Sequence, residues 1–496
     1  MNVRLTLHVQ GGLLVFLAGM LLLPLPYSFL SEEGVPFSFL FSSAISVLVG
    51  VTLLYCFRAT EDVSYREAFA IVTFGWIAFA FFGSLPFLFA GITDNPVDAF
   101  FESMSGFTTT GATVITDLSR VPEDILLWRS LTQWMGGMGI IVLSLAILPF
   151  LGVGGMQLFE AEVSGPTADC LSPRIQDTAK LLWGVYFAIT AAEAFLLLLG
   201  GMNLHDALCH SFTTMATGGF STRNESVGGF QSSYIDVVVT CFMFLAGANF
   251  SLHYFALRGQ LSRYFVNEEF RFYASTTLVA ILVIVLALGT ASFLGGATEG
   301  PASGENLKND GPLQVLIDAG FQVASILTTT GFVTADYERW PHVTQYLLVL
   351  LMFIGGCAGS TGGGMKNVRV LLLLKHAQLQ ISRLIHPREV RVLKLDHKPV
   401  SPEVMQSILG FFALYMGLFV VAALLMAATG LDLLTAGGSV AACLGNIGPG
   451  IGAVGPTENY AAISASGKLV LSACMLAGRL ELFTVLVLFF PSFWRR

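Results

Sequence analysis

The feature that most constrains this chain is a series of apolar runs, each about as long as a bilayer is thick. A helix of about 20 apolar residues crosses the hydrocarbon core of a membrane. Ten such spans are predicted, at residues 10–30, 37–57, 67–90, 124–150, 179–200, 234–257, 272–295, 343–374, 404–429 and 466–490. Only 12% of the 496 residues are charged, whereas soluble domains have about 25%. The sequence therefore predicts an all-α polytopic membrane protein, and it excludes a soluble enzyme, a nucleic-acid-binding protein and a disordered scaffold.

The distribution of Lys and Arg sets the predicted orientation, because positive charges concentrate on the cytoplasmic side of membrane proteins. With the N-terminus in the cytoplasm, 18 basic residues fall inside and six outside, and Arg479 remains within the last span. No A-x-A cleavage pattern follows the first apolar run, so we interpret it as a span and not as a signal peptide. Both termini are therefore expected in the cytoplasm.

Four short segments between spans resemble one another and are too polar to cross a membrane. They cover residues 98–112, 206–219, 318–332 and 432–449, and the first three combine an early Asp with a late Thr-Gly pair. Asp98 precedes Gly111 by 13 residues, Asp318 precedes Gly331 by 13, Asp206 precedes Gly218 by 12 and Asp432 precedes Gly448 by 16. The unit of span, short helix, Thr/Gly loop and span thus occurs four times.

This repeat predicts two N-terminal spans followed by four span–pore-helix–span units around a central pore. The predicted boundaries are 1–60 for the two N-terminal spans, then 61–150, 151–265, 266–398 and 399–496 for the units. Irregular backbone at membrane depth must line a water-filled cavity or be buried in protein. Four equivalent loops around one axis would line a water-filled pore on one side and be buried in protein on the other.

The composition of the loops points to a filter for a monovalent cation. The negative C-terminal end of each short helix would face the pore, and loop carbonyls would replace the hydration shell of the ion. Gly111, Gly218, Gly331 and Gly448 are predicted to take the dihedrals that other residues avoid. The candidate filter residues are Thr109, Thr110, Gly111, Ala112, Thr217, Gly218, Gly219, Thr329, Thr330, Gly331, Phe332, Asn446, Ile447 and Gly448.

A glycine-rich run, GGCAGSTGGG, interrupts the eighth span. Glycine weakens a helix by about 1 kcal/mol relative to alanine, so a broken helix beside a cavity is expected. We interpret the run as a movable loop that obstructs the pore below the filter; a tight helix-packing patch is the alternative. The candidate gate residues are Gly355, Gly356, Gly359, Ser360, Thr361, Gly362, Gly363, Gly364 and Arg479.

Arg479 lies inside the last span, where a charged side chain is costly. It is predicted to project into the pore beneath the filter, with a structural ion pair as the alternative. Glu481 is only two positions away and would face elsewhere on a helix.

Other charged and polar residues within the spans and pore helices leave two interpretations each. Glu193 could serve ion coupling or hydrogen-bond a neighbouring segment, and Asn249 could line the inner vestibule. Glu102 could add negative potential at the outer mouth or lie on a solvated surface. The eight basic residues of 366–398 could mark the inner face or form a docking surface.

The loops resemble those of the TrkH branch of the TrkH/KtrB potassium transporter superfamily, and the resemblance covers almost the whole chain. It extends to QWMGGMGIIVL (133–143), FEAEVSGPTADCLSPRIQDTAK (159–180), GGCAGSTGGGMKNVR (355–369) and AGRLELFTVL (477–486). The resemblance implies potassium uptake, with potassium at the filter residues, through a pore of four joined units in the inner (cytoplasmic) membrane of a bacterium. It also implies a homodimer and a cytoplasmic nucleotide-binding regulatory subunit, and it places an arginine in the pore at the position of Arg479.

Three classes of function compete at this point. A channel-like potassium transporter follows if the filter alone sets the path. A proton- or sodium-coupled symporter would need an acid inside the membrane, for which Glu193 is the candidate. An intramembrane enzyme is disfavoured, because H-E-x-x-H and G-x-S-x-G are missing from the sequence. Potassium is then the substrate, and no organic cofactor is expected in this chain.

Overall fold

The computed structural model describes residues 2–58, 64–147, 175–293, 311–388 and 391–494, and α-helix dominates them. The α-helices are Val3–Met20, Leu25–Leu30, Pro36–Cys56, Tyr65–Gly83, Leu85–Phe89, Pro96–Phe107, Glu123–Ile147, Ile175–Leu199, Leu204–Met215, Ser233–Ala246, Phe250–Leu257, Ser262–Val266, Glu268–Phe293, Pro312–Leu327, His342–Met352, Asn367–Ile385, Pro402–Ala428, Leu433–Leu444, Ala465–Arg479, Phe483–Leu486 and Pro491–Trp494. One small antiparallel hairpin pairs Lys394–Leu395 with Lys398–Pro399.

Membrane-spanning helices make up most of this architecture. Six of the described helical segments are long and apolar enough to cross a bilayer, or eight if each of two bent pairs is one span. The six are Val3–Leu30, Pro36–Cys56, Arg66–Phe89, Ala179–Leu199, Glu268–Thr290 and Pro402–Ala428. The prediction of an all-α polytopic membrane fold is confirmed.

Three predicted spans are interrupted. A continuous helix was the wrong prediction for 234–257 and 466–490, whereas the break within 343–374 was expected from its glycine run. Within 234–257 the chain bends by 104° after Ala246, and within 466–490 it bends by 115° after Arg479. The span 343–374 ends as a helix at Met352 and resumes only at Asn367. Local chemistry explains the first bend, because the side chain of Asn249 caps a new helix by accepting from the amide of Ser251.

Four short helices, here called pore helices one to four, are Pro96–Phe107, Leu204–Met215, Pro312–Leu327 and Leu433–Leu444. Asn95, Asn203 and Asp432 cap the first, second and fourth with their side chains, which satisfies amides that a helix start leaves free. Asp98 and Asp206 lie in the first turn, as the sequence predicted. Asp318 instead lies in the middle of the third pore helix, which begins earlier, at Pro312.

Hydrophobic clusters join these units in a closed order. Phe107 with Phe212 packs the first unit on the second, and Ala207 with Phe321 packs the second on the third. Ile326 packs with Ala441 between the third and fourth units. The last cluster contains Phe101, Met104, Val440 and Cys443, and so packs the fourth unit on the first. The four pore helices therefore surround one axis in chain order.

The two N-terminal helices lie outside this ring. Their backbones touch at Gly11 and Gly50, where a Cβ atom on either would come within 3.0 Å of the other's carbonyl oxygen. Such close contact between small residues is typical of helix pairs in membranes. The predicted unit boundaries at 60 and 150 lie outside the described residues, as does most of the 159–180 motif, and the division into units stays a prediction.

Candidate functional site

Each pore helix ends in the same hydrogen-bonded turn. In every loop, the amide of one residue donates back to a carbonyl five residues earlier in the chain, at 2.8 to 2.9 Å. The four bonds are Thr110 to Ser105, Gly218 to Thr213, Thr330 to Ser325 and Ile447 to Ala442. The fourth loop thus has the same backbone as the others, although Asn446 and Ile447 replace threonine or glycine there.

The backbone dihedrals repeat with the same period. Positive φ angles of 52°, 53°, 61° and 54° occur at Thr109, Thr217, Thr329 and Asn446. Two residues later, a glycine with φ between 74° and 98° follows in every loop, at Gly111, Gly219, Gly331 and Gly448.

Gly218 was therefore the wrong choice of glycine in the second loop. Gly219 takes the left-handed conformation, and it follows Asp206 by the same 13 residues that separate Asp98 from Gly111. The apparent one-residue offset in the second loop disappears. Gly218 instead occupies the position of Thr110 and Thr330, where its carbonyl is the important group.

The four loops close into a ring through these glycines. A Cβ atom on Gly111 would come within 3.0 Å of the carbonyl oxygen of Gly218, and one on Gly219 would meet that of Thr330 in the same way. Gly331 abuts the carbonyl of Ile447, and Gly448 abuts that of Thr110. We call the carbonyls of Thr110, Gly218, Thr330 and Ile447 the carbonyl ring. No side chain fits between neighbouring loops at this level.

The side chains of the candidate filter residues lie mostly behind the ring. The hydroxyl groups of Thr108 and Thr110 are 2.8 Å apart, as are those of Thr328 and Thr330. The side-chain amide of Asn446 donates to Thr110 Oγ1 at 3.0 Å, and so ties the fourth loop to the first. Ala112 and Phe332 are buried in hydrophobic clusters, and their side chains contribute packing to the site.

A vestibule opens onto the ring. It occupies about 540 Å³ with its open mouth included, and all four left-handed glycines line it. Behind Gly455 of its lining, Glu338 accepts from the amide of Gly452 at 2.6 Å, and burial raises the pKa of this carboxyl above its ordinary value. Tyr460 also lines the vestibule and donates its hydroxyl to the carbonyl of Gly448, the residue after Ile447, at 2.6 Å.

Glu102 does not lie on a solvated surface, and that interpretation was wrong. Its side chain is 1% exposed and forms an ion pair with Arg129 at 2.8 Å. Because the arginine neutralises it, Glu102 adds no net negative charge at the outer mouth either.

The segment Gly355–Gly364 lies on the opposite side of the ring from the vestibule. The amide of Gly363 donates to Thr329 Oγ1 at 2.6 Å, and the hydroxyl of Thr361 donates to the carbonyl of Met215 at 3.0 Å. A Cβ atom on Gly363 would come within 3.0 Å of Asn446 Cβ. The segment therefore contacts the ends of three pore helices, directly across the axis that the ring surrounds.

Side chains at the base of the segment hold it in this position. Glu269 accepts from the amides of Ala358 at 2.7 Å and Val368 at 3.1 Å. It thus binds one residue within the segment and one just after it. Lys366 donates to the carbonyl of Gly362. Gly359 contacts the side chain of Asn249, which is 2% exposed and caps a helix. Asn249 thus supports the segment, and its prediction as a vestibule residue was wrong.

Arg479 contacts the glycine-rich segment directly. Its guanidinium donates to the carbonyl of Thr361 at 2.6 Å and to that of Gly136 at 3.2 Å. Glu481 instead pairs with Arg369 at 2.8 Å, so the prediction that it is not the partner of Arg479 is confirmed. Arg479 is 2% exposed and bridges the first unit to the segment that crosses the axis.

Two members of the basic cluster are not surface charges. Lys366 and Arg369 are 8% and 2% exposed, and they contact the glycine-rich segment and Glu481 as described. For this pair, the interpretation as a docking surface is wrong. Arg383, by contrast, is exposed at the end of Asn367–Ile385. Glu193 is fully buried beside Thr214 of the second pore helix.

Known proteins resemble this chain over its full length. The family TrkH, described as a cation transport protein, matches residues 37–496. The Trk system potassium uptake proteins TrkH of Salmonella typhimurium and of Escherichia coli K12 are 41% and 40% identical to it, with 100% of each chain covered. The crystal structure of the potassium transporter TrkH from Vibrio parahaemolyticus matches with a TM-score of 0.89 at 38% identity, over 100% of both chains.

The resemblance to TrkH proteins is therefore confirmed, and the matched family consists of transporters. The chain belongs to the TrkH family of cation transport proteins.

Proposed function

We propose that this chain takes up potassium across the bacterial cytoplasmic membrane, and that the carbonyl ring is its selectivity filter. The single observation that carries the proposal is the closed contact of four left-handed glycines with four carbonyls. Carbonyl oxygens that are held around one axis can replace the water shell of a monovalent cation. The curated relatives are named as potassium uptake proteins, which supports potassium as the ion.

The pore helices add to this preference for a cation. Their C-terminal ends, at Phe107, Met215, Leu327 and Leu444, all lead into the ring. The helix dipole places partial negative charge at that end, and the ends converge because the four units pack in chain order. A cation on the axis is thus stabilised without a carboxylate in its path.

The glycine-rich segment is proposed to be the gate. In the conformation described here it crosses the axis beneath the ring and is held by Thr329, Met215 and Arg479. Conduction requires these bonds to break and the segment to move aside. The positive charge of Arg479 adds an electrostatic barrier at the same level.

The remaining expectations concern the assembly and belong to the same proposal. We infer a homodimer, controlled by a cytoplasmic nucleotide-binding subunit, with both termini of each chain in the cytoplasm. The relatives' names refer to a Trk system, which supports the presence of further components. The exposed basic residues that follow Lys375 offer a surface on the inner side for such a subunit.

Rubidium-86 uptake into liposomes that contain the purified chain tests the proposed function. Uptake should be blocked by external potassium and barely affected by sodium or lithium. Because the gate can hold the wild type shut, a variant with residues 355–364 deleted is measured beside it. Flux no higher than in empty liposomes from both proteins would contradict the proposal.

A coupled symporter is the second candidate, and Glu193 is the acid that favours it. Its carboxylate is fully buried next to the second pore helix, where proton binding and release could be linked to transport. A proton gradient imposed on the same liposomes, with the membrane potential clamped, should leave rubidium uptake unchanged if the filter alone sets the path. Gradient-driven accumulation that Glu193→Gln abolishes would favour the symporter.

A further inference from the structure

A buried ion pair lies behind the carbonyl ring and takes no part in the gate. Arg129 Nε donates to Glu102 Oε1 at 2.8 Å, and a second guanidinium nitrogen reaches the same oxygen at 2.8 Å. The two side chains are 2% and 1% exposed. The pair joins the helix Glu123–Ile147 to the first pore helix.

The same pair also holds the segments that leave the filter. Glu102 Oε2 accepts from the amide of Val114 at 2.9 Å and from the hydroxyl of Thr113 at 3.1 Å. Arg129 donates to the carbonyl of Ser221 in the second loop at 3.2 Å, and its guanidinium lies 4.0 Å from the ring centre of Phe220. One buried side chain thus connects the first two filter loops just above Gly111 and Gly219.

The position of Glu102 recurs in every unit, with different chemistry. Nine residues before each left-handed glycine stand Glu102, His210, Gln322 and Ser439. His210 Nε2 lies 2.9 Å from Ser221 Oγ, and the Gln322 amide contacts Thr334 and Ala335 of its own loop. The Ser439 hydroxyl donates within its own helix, to Ala436. Among these four positions, the first alone is charged, and it alone is linked to a neighbouring loop by an arginine.

We propose that Arg129, acting through Glu102, is a positioning residue for ion selectivity. It fixes the separation of the carbonyls of Thr110 and Gly218, the members of the carbonyl ring that precede Gly111 and Gly219. A ring that loosens can close around the smaller sodium ion, so discrimination depends on holding the carbonyls apart. The proposal rests on the proposed function, because it assigns a role within that filter.

This positioning role differs from a direct electrostatic effect of the ion pair on the bound cation. The pair is neutral as a whole, so it neither attracts nor repels an ion in the vestibule. Lysine keeps the charge of arginine but lacks the planar fork that serves Glu102 and Ser221 together. Arg129→Lys therefore removes the geometric link and leaves the charge balance intact.

The test is calorimetric titration of potassium and of sodium into the purified full-length chain in detergent. The vestibule opens onto the ring from the side opposite the gate, so binding does not require an open gate. Arg129→Lys and Glu102→Asp are each expected to lower the ratio of potassium to sodium affinity by about tenfold, since sub-ångström misplacement weakens preorganised sites. The matched control is Arg120→Lys, because Arg120 forms an ion pair with Asp117 in the same loop but is 86% exposed.

The ratio of the two affinities separates the possible results. A lower ratio in either variant, with Arg120→Lys unchanged, supports the positioning role, and Glu102→Asp alone is sufficient if Arg129→Lys does not yield folded protein. In the variants, an unchanged ratio or an equal loss of both affinities would overturn the positioning role. The proposed function would still stand in that case if the wild type binds potassium more tightly than sodium. A wild type that binds both ions equally would overturn the proposed function and this role together.

Discussion

At the scale of single residues, the site depends on four glycines that leave no room for a side chain. Each one has a positive φ and contacts a carbonyl of the next loop. The sequence predicted three of them correctly and chose Gly218 in place of Gly219. Gly218 directly follows Thr217 and so matches the Thr-Gly motif, but the backbone dihedral shows that Gly219 is the left-handed residue.

Gly331→Ala should damage the filter, whereas Gly320→Ala should not. A Cβ atom on Gly331 would overlap the carbonyl oxygen of Ile447 at a φ of 83°, while one on Gly320, in the pore helix that precedes this loop, meets nothing within 4 Å. Overpacking costs about 1–3 kcal/mol, so potassium affinity should fall by about tenfold or more. Titration of both variants checks this, and equal affinities would contradict the role of the glycine.

The partner of Glu102 could not be predicted from the sequence. Its spacing from Asp98 suggests one helix face and nothing more, because i and i+4 residues share a face. Arg129 stands 27 residues later on a separate helix. Which helices pack together is decided by the whole ring of units and not by local spacing.

At the scale of elements, the structure is organised by breaks in its helices. The chain bends after Ala246 and Arg479 and unwinds between Met352 and Asn367, and Arg479 and the unwound segment meet beneath the carbonyl ring. The glycine run predicted the unwound segment. The bend after Arg479 could not be predicted in this way, because it contains no proline or glycine. The residues that take a positive φ there are Glu481 and Leu482.

Arg479→Ala should raise rubidium flux in liposomes. The guanidinium holds the carbonyl of Thr361 across the axis, and a hydrogen bond from a charged group contributes about 1.5–3 kcal/mol. Its loss should shift the balance between closed and open states by about 10- to 150-fold toward open. Arg383→Ala, at an exposed position near the end of the helix Asn367–Ile385, is the control, and flux no higher than in that control would argue against a gate held by Arg479.

At the scale of the whole molecule, the fold brings four distant parts of the chain into one ring. The repeat in the sequence predicted this architecture, because four similar short segments between spans have few other ways to bury irregular backbone. It could not predict that Lys366 and Arg369 are buried beside the glycine-rich segment. The count of basic residues on each side of the membrane assumes that every lysine and arginine is exposed.

The most direct test of the four-loop filter is anomalous diffraction from crystals of the protein grown in rubidium. We expect a peak on the axis, bonded to the carbonyl oxygens of Thr110, Gly218, Thr330 and Ile447, that weakens when potassium replaces rubidium and persists in excess sodium. Density that avoids these four oxygens, or an equal loss of the peak in sodium, would contradict a potassium filter built by the four loops.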